Sequence, residues 1–301
     1  MHKSRSVVRA LAVLAVFTMI AVACGGGSDS EPAAGTDAPA SVAPIATTAP
    51  IEFDGEEATE LDQEEIESAF ATPTPVPEVD PANPNENVVL HVNDDVQLVP
   101  AFDSPNGSAI TIYDINAIDG VELEYPLYAE TVFGNRLALR VEEYDATGNW
   151  ALVQIPVRPN GTTAWVQTAF FTEERHDYHI TIDVSDNLVN VYKGDELLVE
   201  QIAVMGRESR PTPVVRSYID EKIAGDSLGP AYGSWVLSIA AFSEALGTFG
   251  GGGMPKLALH GTNQPDLMGQ YVSSGCVRVP NDIIEFIAET VPVGATVDIV
   301  A

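Results

Sequence analysis

The chain has 301 residues, 44 of them acidic and 14 of them lysine or arginine, which gives a formal net charge of −30. This charge excludes nucleic acid as a partner, because phosphate binding requires concentrated lysine and arginine. The apolar fraction of 45% is sufficient for a hydrophobic core. The chain has only two cysteines, Cys24 and Cys276, too few for a disulfide scaffold or a cysteine zinc site. We expect no metal and no other cofactor.

The first 24 residues have the organisation of an export signal. Three basic residues precede residues 10–23, which are apolar apart from one threonine. This stretch is shorter than the roughly 20 apolar residues of a membrane-spanning helix. Its end, Ala21-Val22-Ala23-Cys24, resembles the bacterial lipobox, whose cysteine is lipidated. We therefore expect Cys24 to anchor an exported protein to the outer face of the cell membrane. Ordinary cleavage near Ala23 is the alternative.

Residues 25–87 have the composition of a disordered tether. They contain 15 acidic residues, nine prolines and no lysine or arginine. Such a segment buries too little apolar surface to offset the entropy lost on ordering, and its prolines favour an extended spacer.

Residues 88–175 are predicted to form a small β domain. Short β-branched or aromatic runs alternate with turn signals such as Pro105-Asn106-Gly107, and no long helical period is present. The predicted strands are 88–92, 110–113, 136–142, 150–155 and 163–167.

The segment from Asn149 to Val166 resembles an SH3-like module. It contains Trp150, the turn Pro159-Asn160-Gly161 and a second tryptophan in Ala164-Trp165-Val166. Modules of this kind precede the catalytic domain in actinobacterial enzymes that cross-link peptidoglycan. The resemblance implies a small β-barrel. The two tryptophans fit its core better than a ligand groove.

Residues 176–301 are predicted to form a second, β-rich domain with few helices. Alternating apolar residues from Ile180 indicate a strand and a hairpin, and residues 256–260 are predicted to form a buried strand that ends at His260. A helix is predicted after Arg278, with Asn281 as its N-cap.

Cys276 is the candidate nucleophile of this domain. It lies in Ser273-Ser274-Gly275-Cys276-Val277-Arg278, and Arg278 supplies a positive charge that favours the nucleophilic thiolate. His260 lies 16 residues earlier, and a cysteine with a nearby histidine is the pair used for covalent catalysis. From spacing alone, a buried structural cysteine and a core histidine are an equal alternative.

The same residues resemble the signature of the YkuD-type L,D-transpeptidases. His260-Gly261-Thr262 is followed, at the family's spacing, by the serine–glycine–cysteine–arginine motif that ends at Arg278. The resemblance covers 178–301 and includes Gly206 and Thr212-Pro213. It implies a mainly β fold in which an SH3-like barrel precedes the catalytic domain.

The resemblance also implies a role for each site residue. Cys276 attacks the donor peptide, His260 is the general base and acid, and the carbonyl of Ser274 orients the imidazole. The amides of Gly275 and Cys276 hold the oxyanion, and Arg278 stabilises the site or binds a substrate carboxylate. Further residues are expected to contact the substrate: Tyr271, Asn263 and Ser273.

The implied activity is the cross-linking of peptidoglycan stem peptides through their third residues. Carbapenems are then expected to acylate Cys276 as substrate mimics. The alternatives are an L,D-carboxypeptidase, in which water replaces the acceptor amine, and a non-catalytic wall-binding lipoprotein. The stem peptides and the membrane are the expected partners, and the protein is expected to be a monomer.

Overall fold

A computed structural model describes residues 86–110, 112–113, 122–123, 127–131, 133–246 and 255–301. The predicted signal, Cys24 and all but the end of the predicted tether lie outside these residues. The described part is mainly β, which confirms the predicted fold class. Among its residues, one α-helix is present together with four short 3-10 turns.

The first domain has nine strands among its described residues. Five of them form one antiparallel sheet in the order β8-β7-β6-β1-β9, and two further pairs, β2 with β5 and β3 with β4, form small sheets beside it. The strands are β1 (Asn87–Val92), β2 (Leu98–Val99), β3 (Ile112–Tyr113), β4 (Glu122–Leu123), β5 (Leu127–Tyr128), β6 (Ala138–Tyr144), β7 (Trp150–Gln154), β8 (Thr163–Gln167) and β9 (Phe171–His176).

Alternating apolar residues form the core of this domain. Val88, Leu90 and Val92 of β1 point into one hydrophobic cluster, as side chains two residues apart lie on the same face of a strand. Trp150 is buried and packs edge-to-face against Phe102 with ring centroids 5.1 Å apart. Trp150 is therefore a core residue, as the sequence of this segment predicts. The likeness to an SH3 module stays a prediction.

Ten strands and the helix lie in the described part of the second domain. Eight strands form one sheet in the order β12-β11-β10-β19-β14-β15-β16-β18, and β13 pairs with β17 beside it. The strands are β10 (Tyr178–Asp183), β11 (Leu188–Lys193), β12 (Glu196–Ile202), β13 (Met205–Gly206), β14 (Val215–Ala224), β15 (Trp235–Phe242), β16 (Lys256–His260), β17 (Tyr271–Ser273), β18 (Val277–Arg278) and β19 (Thr296–Val300).

Helix α1 (Asn281–Thr290) packs against this sheet through one apolar face. Ile284, Ile287 and Ala288 are buried and belong to the main hydrophobic cluster of the domain. The predicted N-cap is wrong by one residue, because Pro280 occupies the flanking position and Asn281 is the first helical residue. The side chain of Asn281 instead accepts a hydrogen bond from the amide of Thr262 at 2.9 Å.

Polar contacts join the two domains. Asn160 pairs with the backbone of Phe242 through two hydrogen bonds of 2.8 and 2.9 Å. The hydroxyl of the buried Tyr218 donates to the carbonyl of Gln154 at 3.0 Å. These contacts connect β15 and β14 of the second domain to the first domain. The strands that lead to the candidate site are thereby supported from outside their own sheet.

A buried carboxylate also lies at this interface. Glu221 accepts hydrogen bonds from the hydroxyl of Thr131 and, at 2.8 Å, from the side-chain amide of Asn135. Burial raises the pKa of Glu221 from its ordinary value of 4.5, and the hydrogen bonds from Thr131 and Asn135 oppose this effect. The folded state therefore binds a proton at Glu221 more tightly than the unfolded chain does.

We predict that Glu221→Gln stabilises the protein at neutral pH. A raised carboxyl pKa means that the free energy of unfolding falls as the pH rises from 4.5 through the folded pKa, where the buried group becomes charged. Glutamine keeps an oxygen acceptor without the charge. Denaturant unfolding measured at several pH values should show a gain at neutral pH that shrinks below pH 4.5. Glu196→Gln, at an exposed carboxylate of β12, is the matched control. Identical pH dependence of wild type and Glu221→Gln would contradict the prediction.

Candidate active site

The pairing of three neighbouring strands places the candidate catalytic residues on one face of the sheet. In the register of β15, β16 and β18, Val236 lies opposite His260, and His260 lies opposite Arg278. Cys276 precedes Arg278 by two residues and so shares its face. The intervening residues, Leu237, Leu259 and Val277, point to the other face and join the main core. One face of this edge therefore supports the domain, and the other carries the polar site.

His260 is fully buried and has one nitrogen fixed by a backbone carbonyl. Its Nδ1 lies 2.6 Å from the carbonyl oxygen of Gly261, which can only accept a hydrogen bond. A neutral imidazole with its proton on Nδ1 has an unprotonated Nε2 that can act as a base. Nε2 is buried and has no hydrogen-bond partner in the described part of the chain. The ring of Tyr232 packs beside the imidazole with centroids 5.0 Å apart.

This contact corrects the role predicted for Ser274. The carbonyl that meets the imidazole belongs to Gly261, the residue next to the histidine, and not to Ser274. The reason is local: β16 ends at His260, and the chain turn that follows brings the next carbonyl back to Nδ1. The hydrogen bonds that the structure gives to Ser274 are made by its hydroxyl.

Cys276 is buried, with 2% of its surface exposed. It packs in a small apolar cluster with Tyr232, Val236 and Ala258. Tyr232 therefore lies against both the cluster around the thiol and the imidazole of His260. An apolar wall around the pair excludes water, which strengthens electrostatic interactions in the site.

The turn before Cys276 is held by the side chain of Ser273. Its hydroxyl donates to the carbonyl of Cys276 at 2.6 Å and accepts from the amide of Gly275 at 3.1 Å. Gly275 has a φ of +117°, a conformation that side-chain-bearing residues rarely adopt. Ser273 was predicted to contact substrate, but it is buried and stabilises the turn. The Gly275 amide, predicted to hold the oxyanion, donates to this hydroxyl in the structure.

The hydroxyl of Thr212 ties this turn to a neighbouring loop. It accepts from the amide of Gly206 at 2.9 Å and donates to the carbonyl of Gly275 at 2.9 Å. A side chain at Gly206 would lie 2.4 Å from both the carbonyl oxygen of Arg210 and the amide nitrogen of Thr212, so only glycine fits. Gly206 and Thr212, which the sequence marked as parts of the motif, thus position the cysteine turn.

Arg278 is held firmly beside the nucleophile. It is 4% exposed, and its backbone pairs with β16 on one side and with Val204 on the other, at 2.9 and 3.0 Å. Its guanidinium stems from the same sheet face as Cys276. The structure therefore buries an arginine two residues after the candidate nucleophile.

The remaining predicted residues lie at the surface of the site. Asn263 is exposed in the loop after His260. Tyr271 is 44% exposed, and its hydroxyl lies 2.8 and 2.9 Å from the carbonyl oxygens of Val184 and Ser185. Tyr271 therefore ties the loop between His260 and Cys276 to the start of the β10–β11 connection. Neither side chain contacts the buried pair through a hydrogen bond that the structure describes.

The C-terminal domain matches a known catalytic family. Residues 177–299 match the family model of the L,D-transpeptidase catalytic domain, YkuD. Over 39 residues the chain is 44% identical to a protein described as a putative L,D-transpeptidase, YqjB of Bacillus subtilis strain 168. That match covers 13% of this chain and 22% of the length of YqjB.

Solved structures of L,D-transpeptidases are also similar to this chain. An L,D-transpeptidase from Mycobacterium smegmatis is 17% identical, with 54% of this chain and 82% of that chain covered and a TM-score of 0.34. The catalytic domain of the E. faecium enzyme is 20% identical, with 41% and 97% covered and a TM-score of 0.32. The similarity of residues 177–299 to this catalytic domain is given by the family model.

We predict that Thr212→Val disturbs the cysteine turn. The change removes one hydroxyl and leaves a buried amide and a buried carbonyl without their partner, at a cost of about 1–3 kcal/mol for each buried group left unsatisfied. Denaturant unfolding should show a loss of at least that order, and the reaction of Cys276 with thiol reagents should change in rate. Thr163→Val, at an exposed position of β8, is the matched control. Equal stability and thiol reactivity in the two variants would show that the bridge is unimportant.

Proposed function

We propose, from the match of residues 177–299 to the family model of the YkuD L,D-transpeptidase catalytic domain, that this protein cross-links peptidoglycan through a cysteine acyl-enzyme. The observation that carries the proposal is the placement of Cys276 and His260 on one buried face of the β16–β18 edge. A nucleophile and a base in such an arrangement form the core of covalent acyl transfer. The substrates are two neighbouring stem peptides, one as donor and one as acceptor.

In the first half of the reaction, the donor peptide acylates Cys276. Nε2 of His260 takes the thiol proton, and the sulfur attacks the carbonyl carbon of the third residue of the donor. The hydrogen bond from Nδ1 to Gly261 holds the imidazole in the tautomer that this step requires. The tetrahedral intermediate collapses as Nε2–H returns the proton to the leaving amine. The bond between the third and fourth residues breaks, and a D-amino acid is released.

In the second half, the acceptor amine takes the acyl group. The side-chain amine of the third residue of the acceptor attacks the thioester, and His260 accepts one proton from it. The carbon–sulfur bond breaks, the departing thiolate takes that proton back from His260, and an amide joins the two third residues. Arg278 stabilises the negative charge that develops beside Cys276 in both halves. We assign the oxyanion contact to the amide of Cys276.

Water in place of the acceptor amine would make the same site an L,D-carboxypeptidase. The two reactions share the acyl-enzyme and differ only in the second nucleophile. A non-catalytic wall-binding protein is the other alternative. The buried pair and the fixed imidazole favour a catalytic site over a binding module, because a wall-binding role does not require a base and a thiol on one buried face.

Two measurements test this function. Intact-mass spectrometry of the full-length chain with a carbapenem should show a covalent adduct on the wild type and none on Cys276→Ala. His260→Gln should acylate more slowly, by roughly 10²–10⁴-fold, because it lacks the general base. Product analysis with disaccharide–tetrapeptides should yield cross-linked dimers. Tripeptides as the only products would indicate the carboxypeptidase. The cysteine mechanism would be contradicted if the wild type formed no adduct with the carbapenem, or if Cys276→Ala formed an equal one.

We further propose that the protein acts outside the cell, held at the membrane by lipidated Cys24. Residues 25–87 would then act as a spacer that lets the catalytic domain reach the cell wall. Two acyl chains on one residue suffice for stable anchoring. Within the described residues, no helix is long and apolar enough to cross a membrane.

The lipid anchor has its own test. Cells that produce the protein and are fed a labelled fatty acid should incorporate the label into the wild type and not into Cys24→Ala. The wild type should sediment with membranes, while the variant should move to the soluble fraction because it lacks the acyl chains. Cys276→Ala is the control that retains both label and membrane association. Labelling of Cys24→Ala at the wild-type level would contradict the lipobox interpretation.

A further inference from the structure

Two arginines converge on a single hydroxyl next to the nucleophile. Nη2 of Arg207 and Nη1 of Arg210 donate to Oγ of Ser274 at 3.1 and 3.2 Å. Ser274 is 6% exposed and precedes Cys276 by two residues. Both arginines are half-buried. Two positive charges are therefore held together at the edge of the candidate site.

The backbone fixes both arginines in place. The amide of Arg207 donates to the carbonyl of Ser273 at 3.1 Å, and the amide of Arg210 donates to the carbonyl of Arg207 at 2.8 Å. The loop that carries them is the one that Thr212 ties to Gly275. The arginines and the cysteine turn thus belong to one hydrogen-bonded unit, and their relative positions do not depend on flexible side chains alone.

The charge of this pair is not balanced within the described part of the chain. Five ion pairs of arginine or lysine and one contact between His91 and Glu174 are present there, and none includes Arg207 or Arg210. Glu208, which lies between them in sequence, is exposed. Nε of Arg207 is buried and has no hydrogen-bond partner among the described residues. A neutral hydroxyl satisfies only one donor of each guanidinium, and each guanidinium has five.

An anion with two oxygens fits these unused donors. Guanidinium groups bind carboxylates in a bidentate geometry, and such hydrogen bonds are stronger than those between neutral groups. A stem peptide carries carboxylates close to the carbonyl that Cys276 would attack. One is the terminal carboxylate of the fourth residue. The other is the side-chain carboxylate of the third residue, where that residue is a diamino dicarboxylic acid.

We propose that Arg207 and Arg210 bind a carboxylate of the donor stem peptide and select donors in which that carboxylate is free. This inference rests on the proposed function, because it takes a stem peptide as the substrate. The two arginines are specificity-determining residues. They select the donor before Cys276 reacts, and amidation of the recognised carboxylate would make a stem peptide a poor donor.

Binding measurements on full-length Cys276→Ala test the recognition without turnover. Titration calorimetry compares three tetrapeptides: one with both carboxylates free, one amidated at the terminus and one amidated at the third side chain. Amidation of the recognised carboxylate should weaken binding by about ten- to hundredfold, since it replaces charge-assisted hydrogen bonds. The amide that causes the loss identifies which carboxylate is bound.

Variants of Arg207 and Arg210 then test whether these residues cause the preference for a free carboxylate. In Arg207→Gln/Arg210→Gln, built on Cys276→Ala, the preference for the free carboxylate should disappear, and lysine at both positions should restore part of it. Arg216→Gln is the control, because Arg216 is exposed and pairs with Asp298. If the double variant fails to fold, as judged by its thermal melt, the two single variants carry the same comparison.

Equal binding of all three peptides, or a preference that survives in the arginine variants, would overturn the inference. Turnover by the wild-type protein separates this failure from failure of the proposed function. If free and amidated donors are cross-linked at equal rates, the role proposed for the arginines is wrong and the proposed transpeptidase activity is supported. A carboxylate preference in binding without turnover of any donor supports the arginine site and contradicts the catalytic proposal.

Discussion

The parallel pairing of β16 with β18 is the constraint on which the site depends. This short ladder places His260 opposite Arg278 and puts Cys276 on the same face of the sheet. β18 has only two residues, so its own pairing is too short to hold the nucleophile in place. The missing support comes from Val204 on its free side and from the hydroxyls of Ser273 and Thr212 in the preceding turn. Hydrogen bonds from these side chains thus hold the cysteine in place where the strand pairing is too short to do so.

The electrostatics of the site differ from those of the rest of the chain. Residues 88–301 contain 29 acidic and 11 basic residues, a net charge of −18. Arg207, Arg210 and Arg278 nevertheless lie within one hydrogen-bonded region around Cys276. Positive charge concentrated at one point of an acidic protein favours the binding of an anion at that point. The net charge therefore does not indicate the sign of the ligand's charge, whereas the arginines near Cys276 favour an anionic ligand.

Much of the site could be predicted from sequence because its signals are local. The bounds predicted for the strand Lys256–His260 are those observed, because a short apolar run stands there between a lysine and a histidine. The prediction that the carbonyl of Ser274 orients His260 is wrong, because the sequence cannot show which backbone carbonyl Nδ1 contacts in the folded chain. The N-cap assignment of Asn281 failed for a related reason: its side chain bonds to Thr262, 19 residues away in sequence. The convergence of Arg207 on Ser274 spans 67 residues and depends on the folded sheet.

The most direct test of the whole account is to trap the acyl-enzyme with a natural donor. The full-length protein is mixed with a disaccharide–tetrapeptide, quenched in acid and digested, and the peptide that contains Cys276 is examined by mass spectrometry. The expected result is a thioester on Cys276 that adds to this peptide the mass of the donor less that of its terminal D-amino acid. A much smaller yield is expected at early times in His260→Gln. An acyl group on another residue, or turnover of the donor with no acyl group on Cys276, would contradict the account.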